Sequence, residues 1–236
     1  MNSGARPAGR LQRWLDKPRA IRLQALAFDL ARWIDARWDR YHTRRRGLDF
    51  AGLIPPAALG SAHPHSQSHA NNYEAFDGTA LRLVVYEAMR SGIGFDRFVD
   101  IGSGKGKACL CAATEFGFTE VLGVEFAPHL IEIARANSRK LGLSQVSFVE
   151  ADAAQFRLPE GRTLVFLFNP FDQTILDAFL AHNLAHFQQY GSVIAYGNDR
   201  DRASLARFGF ATLYRDQVLK LSVHAWPDSG SAVPTL

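Results

Sequence analysis

A glycine-rich stretch at residues 98–108 carries the clearest chemistry in the chain. It reads FVDIGSGKGKA, in which Gly102, Gly104 and Gly106 alternate after an apolar run and Asp100 stands two residues before the first glycine. Glycine adopts positive φ angles without strain and lets a ligand approach the backbone closely. The stretch therefore predicts a ligand-binding turn between a strand and a helix.

Three classes of ligand compete for such a turn, and the neighbouring residues separate them. A phosphate-binding P-loop needs Ser or Thr after its lysine, where this chain has Ala108. A dinucleotide fingerprint has its third glycine or alanine where Lys107 stands, and it asks for no acid inside the strand. The charge of Asp100 would repel a pyrophosphate but suits a cation. The residues therefore favour S-adenosylmethionine, which carries a sulfonium and an α-amino group.

Polar residues follow the next three predicted strands. Glu125 ends the second strand, where a carboxylate can accept hydrogen bonds from ribose hydroxyls, although dinucleotide enzymes use the same device. Asp152 follows the third strand, in reach of an adenine amino group. Asn169 and Phe171, in the sequence Asn-Pro-Phe, follow the fourth strand, where an amide oxygen would face a methyl acceptor. In a doubly wound sheet these strand ends surround the ligand.

Strand and helix patterns alternate from residue 78 onward. The strands read RFVDI, EVLGVE, VSFVE, TLVFLF and GSVIAYG, and the helices GTALRLVVYEAMRSG, GKACLCAATEFG, PHLIEIARANSRKLG and DQTILDAFLAHNLAHF. This alternation predicts an α/β fold with a mostly parallel, doubly wound sheet. The last two strands, FATLYRD and VLKLSVHAW, are joined by a short turn and predict a C-terminal antiparallel hairpin.

The basic residues are concentrated at the N-terminus. Residues 1–50 contain twelve Lys or Arg against five Asp, in a chain whose net charge is +4. They predict an exposed, solvated helix face or a contact surface for nucleic acid or an acidic partner. Apolar residues at three- and four-residue steps predict an amphipathic helix that docks its apolar face on the main domain, with a membrane surface as the alternative. These residues are Leu23, Leu26, Leu30, Trp33, Ile34, Trp38 and Tyr41.

Composition excludes several other classes of protein. The chain has 236 residues, room for one large domain with an appendage, and no apolar run of about 20 residues that would predict a transmembrane helix. Its only cysteines, Cys109 and Cys111, point to different faces of a helix, so we expect free thiols and a cytoplasmic protein. Histidines in the Pro-, Ala- and Ser-rich connector at 52–72 lack partners at ligand spacing, and we expect no metal.

The motifs FVDIGSGKG, GVEFAP, EADA and LFNPF resemble those of class I S-adenosylmethionine-dependent methyltransferases. Within that class they are similar to the bacterial and mitochondrial protein-lysine methyltransferase-like group, which is distantly related to the seven-strand histone-lysine enzymes. The resemblance covers roughly residues 70–225. It implies a Rossmann-like seven-stranded sheet in a cofactor-binding domain at 73–236, preceded by a helical extension and connector at 1–72.

The resemblance also assigns roles to residues. It implies that Asp100 and the three glycines hold the methionine part of the cofactor, that Glu125 holds the ribose, and that Asp152 with Ala153 holds the adenine. Asn169, Phe171 and Tyr73 would line the transfer site, where Asn169 would also contact the cofactor and Tyr73 would lie on a segment that closes over it. The acceptor implied is an amine, most simply a protein lysine. A nucleic-acid base held by the basic N-terminus and a non-catalytic interaction module remain alternatives, and nothing in the sequence fixes the oligomeric state.

Overall fold

The computed structural model describes residues 19–60, 63–74 and 78–227. The first 18 residues of the predicted extension lie outside these ranges. The helices are α1 (Arg19–Arg46), a 3-10 turn (Pro56–Ala58), α2 (Pro64–Ser68), α3 (Gly78–Arg90), α4 (Lys107–Glu115), α5 (Pro128–Leu141), α6 (Gln173–Tyr190) and α7 (Arg202–Arg207). The strands are β1 (Leu53–Ile54), β2 (Tyr73–Glu74), β3 (Arg97–Ile101), β4 (Val121–Glu125), β5 (Val146–Glu150), β6 (Thr163–Phe168), β7 (Val193–Gly197), β8 (Ala211–Asp216) and β9 (Leu221–Ala225).

Seven strands form one sheet in the order β5-β4-β3-β6-β7-β9-β8. The first five of these pair in parallel, and β9 inserts antiparallel between β7 and β8. The predicted α/β fold, with a mostly parallel sheet and a C-terminal antiparallel hairpin, is therefore confirmed. Because the chain runs outward from β3 to β5 and then returns to β6, the topological switch lies between β3 and β6, where a ligand of such a sheet binds.

Helices cover both faces of the sheet. Successive residues of β3 point to opposite sides, so Phe98 packs with α3, α4 and α5 while Val99 and Ile101 pack with α6. Asp100 points to the same side as Phe98 and is the only charged residue of this buried strand that is shielded from solvent. Two apolar layers thus fix the strand whose end leads into the glycine turn.

Helix α1 docks on the domain by a different face from the one predicted. Phe28 packs against the core beneath α3, and the carboxylate of Asp35 forms an ion pair with Arg82 of α3. The predicted docking residues Leu23, Leu26, Leu30, Trp33 and Tyr41 are instead between 51% and 58% exposed. The side chains of Ile34 and Trp38 lie outside the described part. The prediction is wrong for those five residues because the ion pair and Phe28 set the helix rotation.

The segment after α1 crosses the carboxyl edge of the sheet. Lys140 of α5 donates a hydrogen bond to the carbonyl of Gly47, and buried Asn137 holds both the N–H and the carbonyl of Asp49. Strands β1 and β2 then form a small antiparallel pair above the glycine turn. Residues 47–60 and 63–74 therefore form a cover over this edge, which we call the lid segment. None of the helices in the described ranges is long and apolar enough to cross a membrane.

Candidate functional site

The glycine turn joins β3 to α4 with three left-handed residues. The φ angles of Gly102, Gly104 and Gly106 are 80°, 52° and 83°, which confirms the expected positive φ values. Each glycine is also required by close packing. A Cβ at Gly102 would collide with Pro170, one at Gly104 with the ring of Tyr73, and one at Gly106 would lie 2.7 Å from Phe148. The turn is thus shaped by neighbours on β5, on the loop after β6 and on the lid segment.

Asp100 lies under this turn, and its buried carboxylate has no strong hydrogen-bond donor among the described residues. Among the described residues its one hydrogen-bond partner is the thiol of Cys109, with 3.8 Å between Oδ2 and Sγ. Burial, reinforced by the charge of Glu125, raises the pKa of Asp100 to about 8. A buried carboxyl without a cation or N–H donor is costly, because desolvation penalises its charged form. The site therefore suits a ligand that brings a positive charge or a donor.

A second buried polar group in the turn lacks a partner. The hydroxyl of Ser103 is shielded from solvent and makes no hydrogen bond to any residue that the structure describes. It lines the same pocket as Asp100. Buried hydroxyls are nearly always hydrogen-bonded in native proteins, so this one marks a place for a polar ligand group. Sequence reasoning missed Ser103, although its position between two of the glycines was a usable signal.

Glu125 is held at the end of β4 by backbone donors. Its Oε2 accepts a hydrogen bond from the N–H of Gly104, and its Oε1 accepts from the N–H groups of Phe126 and Ala127. Burial raises the pKa of Glu125, and these three hydrogen bonds oppose the increase. A carboxylate has about four acceptor positions. One position on Oε2 therefore remains for a ligand hydroxyl.

Asp152 meets the lid segment and does not line the pocket with its own side chain. Its Oδ1 accepts hydrogen bonds from the hydroxyl of Ser66, at 2.7 Å, and from the N–H of Ala154. Its Oδ2 lies 4.0 Å from Nδ1 of His63. The pocket wall here is formed by Ala151 and Ala153. Asp152 thus anchors helix α2 of the lid beside the alanines.

The Asn-Pro-Phe sequence after β6 forms the opposite wall. Asn169 has a φ angle of 49°, lines the pocket, and makes no side-chain hydrogen bond to another described residue. Its carbonyl accepts from the amide of Asn71 in the lid segment. Phe171 is buried in the core while one edge lines the pocket, and it forms a β-bridge with Ala70. The amide of Asn169 is therefore the free polar group on this wall.

Tyr73 and Lys105 join the lid segment to the glycine turn. The Tyr73 ring covers Gly104 and its hydroxyl donates a hydrogen bond to the carbonyl of Phe50. Nζ of Lys105 lies 2.8 Å from Oδ1 of Asp49 and 5.6 Å from the centre of the Tyr73 ring. Burial, with the charges of Asp49 and Glu125, raises the pKa of Tyr73, so its phenol is neutral. Tyr73 is suited to cover the pocket and not to remove a proton.

These groups surround one pocket at the switch point of the sheet. The structure brings together Asp100, Gly102, Glu125, Ala153, Asn169, Phe171 and Tyr73 of the predicted residues, with Ser103, Lys105, Asn71 and Phe168 as further members. Gly104 and Gly106 shape the turn behind it, and Asp152 stands behind Ala153. Within the described part of the chain, no cluster of three His, Cys, Asp or Glu side chains is placed to hold a metal ion.

The sequence motifs imply S-adenosylmethionine as the ligand of this pocket, and on that expectation loss of the Tyr73 ring should speed release of the cofactor product. We expect Tyr73→Ala to raise the dissociation rate of S-adenosylhomocysteine by about tenfold or more, because the cover over Gly104 is removed. Tyr73→Phe keeps the ring and loses one hydrogen bond, so its rate should change by about threefold or less. Surface plasmon resonance with immobilised protein measures both rates. Equal effects of the two substitutions would show that the hydroxyl, and not the ring, holds the ligand.

Comparison with known proteins finds similarity between this chain and methyltransferases. Residues 96–206 match the family model described as a methyltransferase domain. Release factor glutamine methyltransferase of Xylella fastidiosa (strain 9a5c) is 28% identical over 140 residues, which are 59% of this chain and 50% of that protein. Demethylmenaquinone methyltransferase of Thermus thermophilus is 35% identical over 79 residues, 32% of this chain and 36% of that protein. The chain thus spans half or less of these curated relatives.

Solved structures share the fold at low sequence identity. TrmN from Thermus thermophilus superimposes with a TM-score of 0.51 at 21% identity, covering 64% of this chain and 48% of that one. The S-adenosylhomocysteine-bound Podospora anserina methyltransferase PaMTH1 gives 0.51 at 16% identity, covering 64% and 79%. The weakly hydrogen-bonded carboxylate of Asp100 and the unpartnered hydroxyl of Ser103 fit the cationic and polar groups of S-adenosylmethionine. The sheet order and the solved structures together show a Rossmann-like α/β fold with seven strands, within which residues 96–206 are similar to a methyltransferase domain.

Proposed function

We propose that the protein is an S-adenosylmethionine-dependent methyltransferase that transfers a methyl group to an amine, with a protein lysine as the acceptor. The observation that carries the proposal is the pocket at the switch point, which is lined by the buried Asp100 carboxylate, without a strong donor, and by Asn169, whose amide bonds no described residue. Residues 73–236 would form the cofactor domain, and residues 1–72 an extension and connector that complete its pocket. Neither Cys109 nor Cys111 forms a disulfide, which fits a cytoplasmic protein.

Different residues of the pocket would hold different parts of the cofactor. Asp100 and the backbone of the glycine turn would hold the methionine part, where the carboxylate pairs with the α-amino group and Ser103 adds a hydrogen bond. The remaining acceptor position of Glu125 would take a ribose hydroxyl, and Ala153 would lie against the adenine. Asp152 supports that wall through Ser66 of the lid segment. The cofactor supplies a methyl group activated by its attachment to sulfonium.

The acceptor side of the pocket suits a nitrogen nucleophile. An amine must be neutral to attack, and the apolar walls of Phe168 and Phe171 favour the neutral form because they exclude water. The amide oxygen of Asn169 can accept a hydrogen bond from the amine and so orient its lone pair. Glu74 is exposed at the pocket and would attract an incoming lysine cation before it loses its proton. Little acid-base apparatus is needed beyond alignment.

The two curated relatives are named for different methyl acceptors. The curated relatives are named for methylation of a release-factor glutamine and of demethylmenaquinone. A glutamine amide and a lysine amine are both protein nitrogens, and the free amide of Asn169 can accept a hydrogen bond from either. We favour lysine because of the exposed Glu74 and the resemblance of the LFNPF motif.

Ligand-dependent thermal unfolding tests the cofactor. S-adenosylhomocysteine at a hundred times its dissociation constant should stabilise the folded protein by about 2.7 kcal/mol, which corresponds to roughly 5 to 10 °C in the unfolding midpoint. NAD at the same concentration should leave the midpoint unchanged, because Asp100 would face its pyrophosphate. A midpoint raised by NAD alone, or by neither ligand, would contradict the methyltransferase proposal.

Transfer of a labelled methyl group tests the acceptor. The protein should be incubated with methyl-labelled S-adenosylmethionine and a bacterial lysate, and the product separated into protein, nucleic-acid and small-molecule fractions. We expect the label in protein, and in methyl-lysine after complete hydrolysis. Label in methyl-glutamine, in nucleic acid or in a small molecule would each replace lysine with that acceptor. Absence of label from all fractions, with the unfolding midpoint raised, would favour a non-catalytic binding module.

A further inference from the structure

The outer face of α1 combines exposed apolar and basic side chains along one line. Leu23, Leu26, Leu30 and Trp33 follow one another at three- and four-residue steps, and Arg37, Arg40 and Arg44 continue the same spacing. The four apolar side chains are each more than half exposed. At about 3.6 residues per turn, all seven lie on one side of the helix. We call this line the outer face.

The opposite side of the helix is fixed to the domain. Phe28 packs into the core and Asp35 pairs with Arg82, whose guanidinium also bonds Glu115 of α4. These anchors lie roughly half a turn away from Leu30 and Trp33. The domain therefore holds the outer face toward its surroundings, and burial on the domain does not account for the leucines.

In the basic half of the helix, arginine side chains lie over aromatic rings. The guanidinium carbon of Arg37 lies 5.1 Å from the centre of the Trp33 ring, and that of Arg45 lies 5.0 Å from the centre of the Tyr41 ring. A shallow surface groove is lined by Arg37, Arg40, Tyr41, Arg44 and Arg45. Four of the five residues that line the groove are arginines, and none of the five is an Asp or Glu. The lining of the groove is therefore positively charged.

From these features we propose that the outer face of α1 docks on an anionic lipid membrane. Leu23, Leu26 and Leu30 would enter the boundary between headgroups and acyl chains, while Trp33 and Tyr41 lie at headgroup depth. The arginines would bind lipid phosphates, to which their planar guanidinium groups fit well. The helix lies on the membrane and does not cross it, in agreement with its several charges.

Other partners satisfy only part of this face. A nucleic acid would bind the arginines and leave four exposed apolar side chains in water. A second copy of α1 would bury the leucines, but a parallel pair would oppose arginine to arginine. An antiparallel pair would place Arg37, Arg40 and Arg44 against leucines in its seam. An anionic bilayer offers both an apolar layer and negative charge to a single helix face.

Vesicle sedimentation tests this proposal independently of methyl transfer. The full-length protein should sediment with vesicles made of equal parts phosphatidylglycerol and phosphatidylcholine, and at least about tenfold less with pure phosphatidylcholine. Raising the salt from about 0.05 M to about 0.5 M should weaken binding, because the longer-range charge attraction is screened. Equal sedimentation with both vesicle types, or with neither, would overturn the proposal.

Two variants with matched controls locate the binding face. The double change Leu26→Glu and Leu30→Glu should reduce binding at least about tenfold, since two carboxylates would enter the interface. Met89→Glu, at an exposed apolar position on α3, should leave it unchanged. Arg40→Gln with Arg44→Gln should weaken binding by about fivefold per arginine, while Arg90→Gln with Arg139→Gln on other helices should have a smaller effect.

The same variants distinguish the other partners. Each should keep the unfolding midpoint and its rise with S-adenosylhomocysteine, because the outer face lies outside the pocket. Light scattering that shows a dimer which the leucine variant dissociates, without vesicle binding, would overturn the proposal in favour of a second copy. Arginine-dependent binding of duplex DNA or RNA without vesicle binding would overturn it in favour of nucleic acid.

Discussion

Asp100→Asn is expected to weaken S-adenosylhomocysteine binding by about ten- to a hundredfold. Hydrogen bonds to a charged group contribute about 1.5 to 3 kcal/mol, and a factor of ten in affinity corresponds to about 1.4 kcal/mol. Among the described residues, only the distant thiol of Cys109 donates a hydrogen bond to Asp100. The amino group of the ligand would therefore be its one strong hydrogen-bond partner. Asparagine retains the size of the side chain but carries no charge.

The same pairing makes ligand binding depend on pH. Burial and the charge of Glu125 raise the pKa of Asp100 to about 8, so the carboxyl is largely protonated below that pH. A ligand cation binds the ionised form, and binding must then release a proton. The dissociation constant of the wild-type protein should fall by close to tenfold as the pH rises from about 6.5 to about 7.5. In the Asn variant this dependence should disappear.

Titration calorimetry at these two pH values measures both effects. Buffers with different ionisation enthalpies reveal the released proton. Asp177→Asn is the matched control, since that carboxylate pairs with Arg207 at the surface and does not line the pocket. A wild-type protein that binds equally well at both pH values without proton release would show that the ligand does not contact the Asp100 carboxylate.

The raised pKa of Asp100 also makes it possible to distinguish weaker ligand binding from loss of folding in the Asn variant. The folded state binds this proton more tightly than the unfolded chain, whose carboxyl has an ordinary pKa of about 3.8. Stability contributed by this group is therefore present below about pH 4 and is lost as the pH rises toward 8. At about pH 9 the Asn variant, free of this penalty, should unfold at the wild-type temperature or above. Weaker binding then cannot be attributed to unfolding.

The sheet could be predicted from the sequence because the patterns that indicate its strands and helices are local. Each strand of the domain is a short apolar run, and helices are marked at their ends, as Pro128 begins α5 and Gly142 ends it in a left-handed conformation. The residues after the parallel strands must meet at one edge, so Glu125 and Asn169 could be brought together without coordinates. The same reasoning identified Asp100, because a charged residue inside a buried strand is costly unless it has a binding partner.

What sequence reasoning missed depends on contacts between distant residues. Ser66 and Asp152 are 86 residues apart, and His69 and Asp172 are 103 apart, yet both pairs hold the lid segment on the pocket. No periodic pattern indicates such pairs. The rotation of α1 was mispredicted because one ion pair, Asp35 with Arg82, decides it against a longer apolar line. Hydrophobic periodicity finds the helix but not the surface that its apolar side contacts.

Asn169→Ala is expected to reduce methyl transfer at least about tenfold while leaving cofactor binding within about threefold. The amide lines the acceptor wall and makes no hydrogen bond to another described residue, so its removal should cost little elsewhere. Loss of an interaction that orients the nucleophile lowers kcat more than it alters cofactor affinity. The initial rate of methyl transfer into the labelled acceptor fraction and the dissociation constant of S-adenosylhomocysteine together measure the split.

The backbone at this position requires a second variant. Asn169 has a φ angle of 49°, which asparagine tolerates and alanine adopts only with strain. Asn169→Gly removes the side chain without that strain, so the two variants should lose transfer equally if the amide orients the acceptor. Asn198→Gly is the matched control, because Asn198 has a φ angle of 54° and does not line the pocket. Full activity in Asn169→Gly with loss in Asn169→Ala would mean that the turn, and not the amide, positions the acceptor.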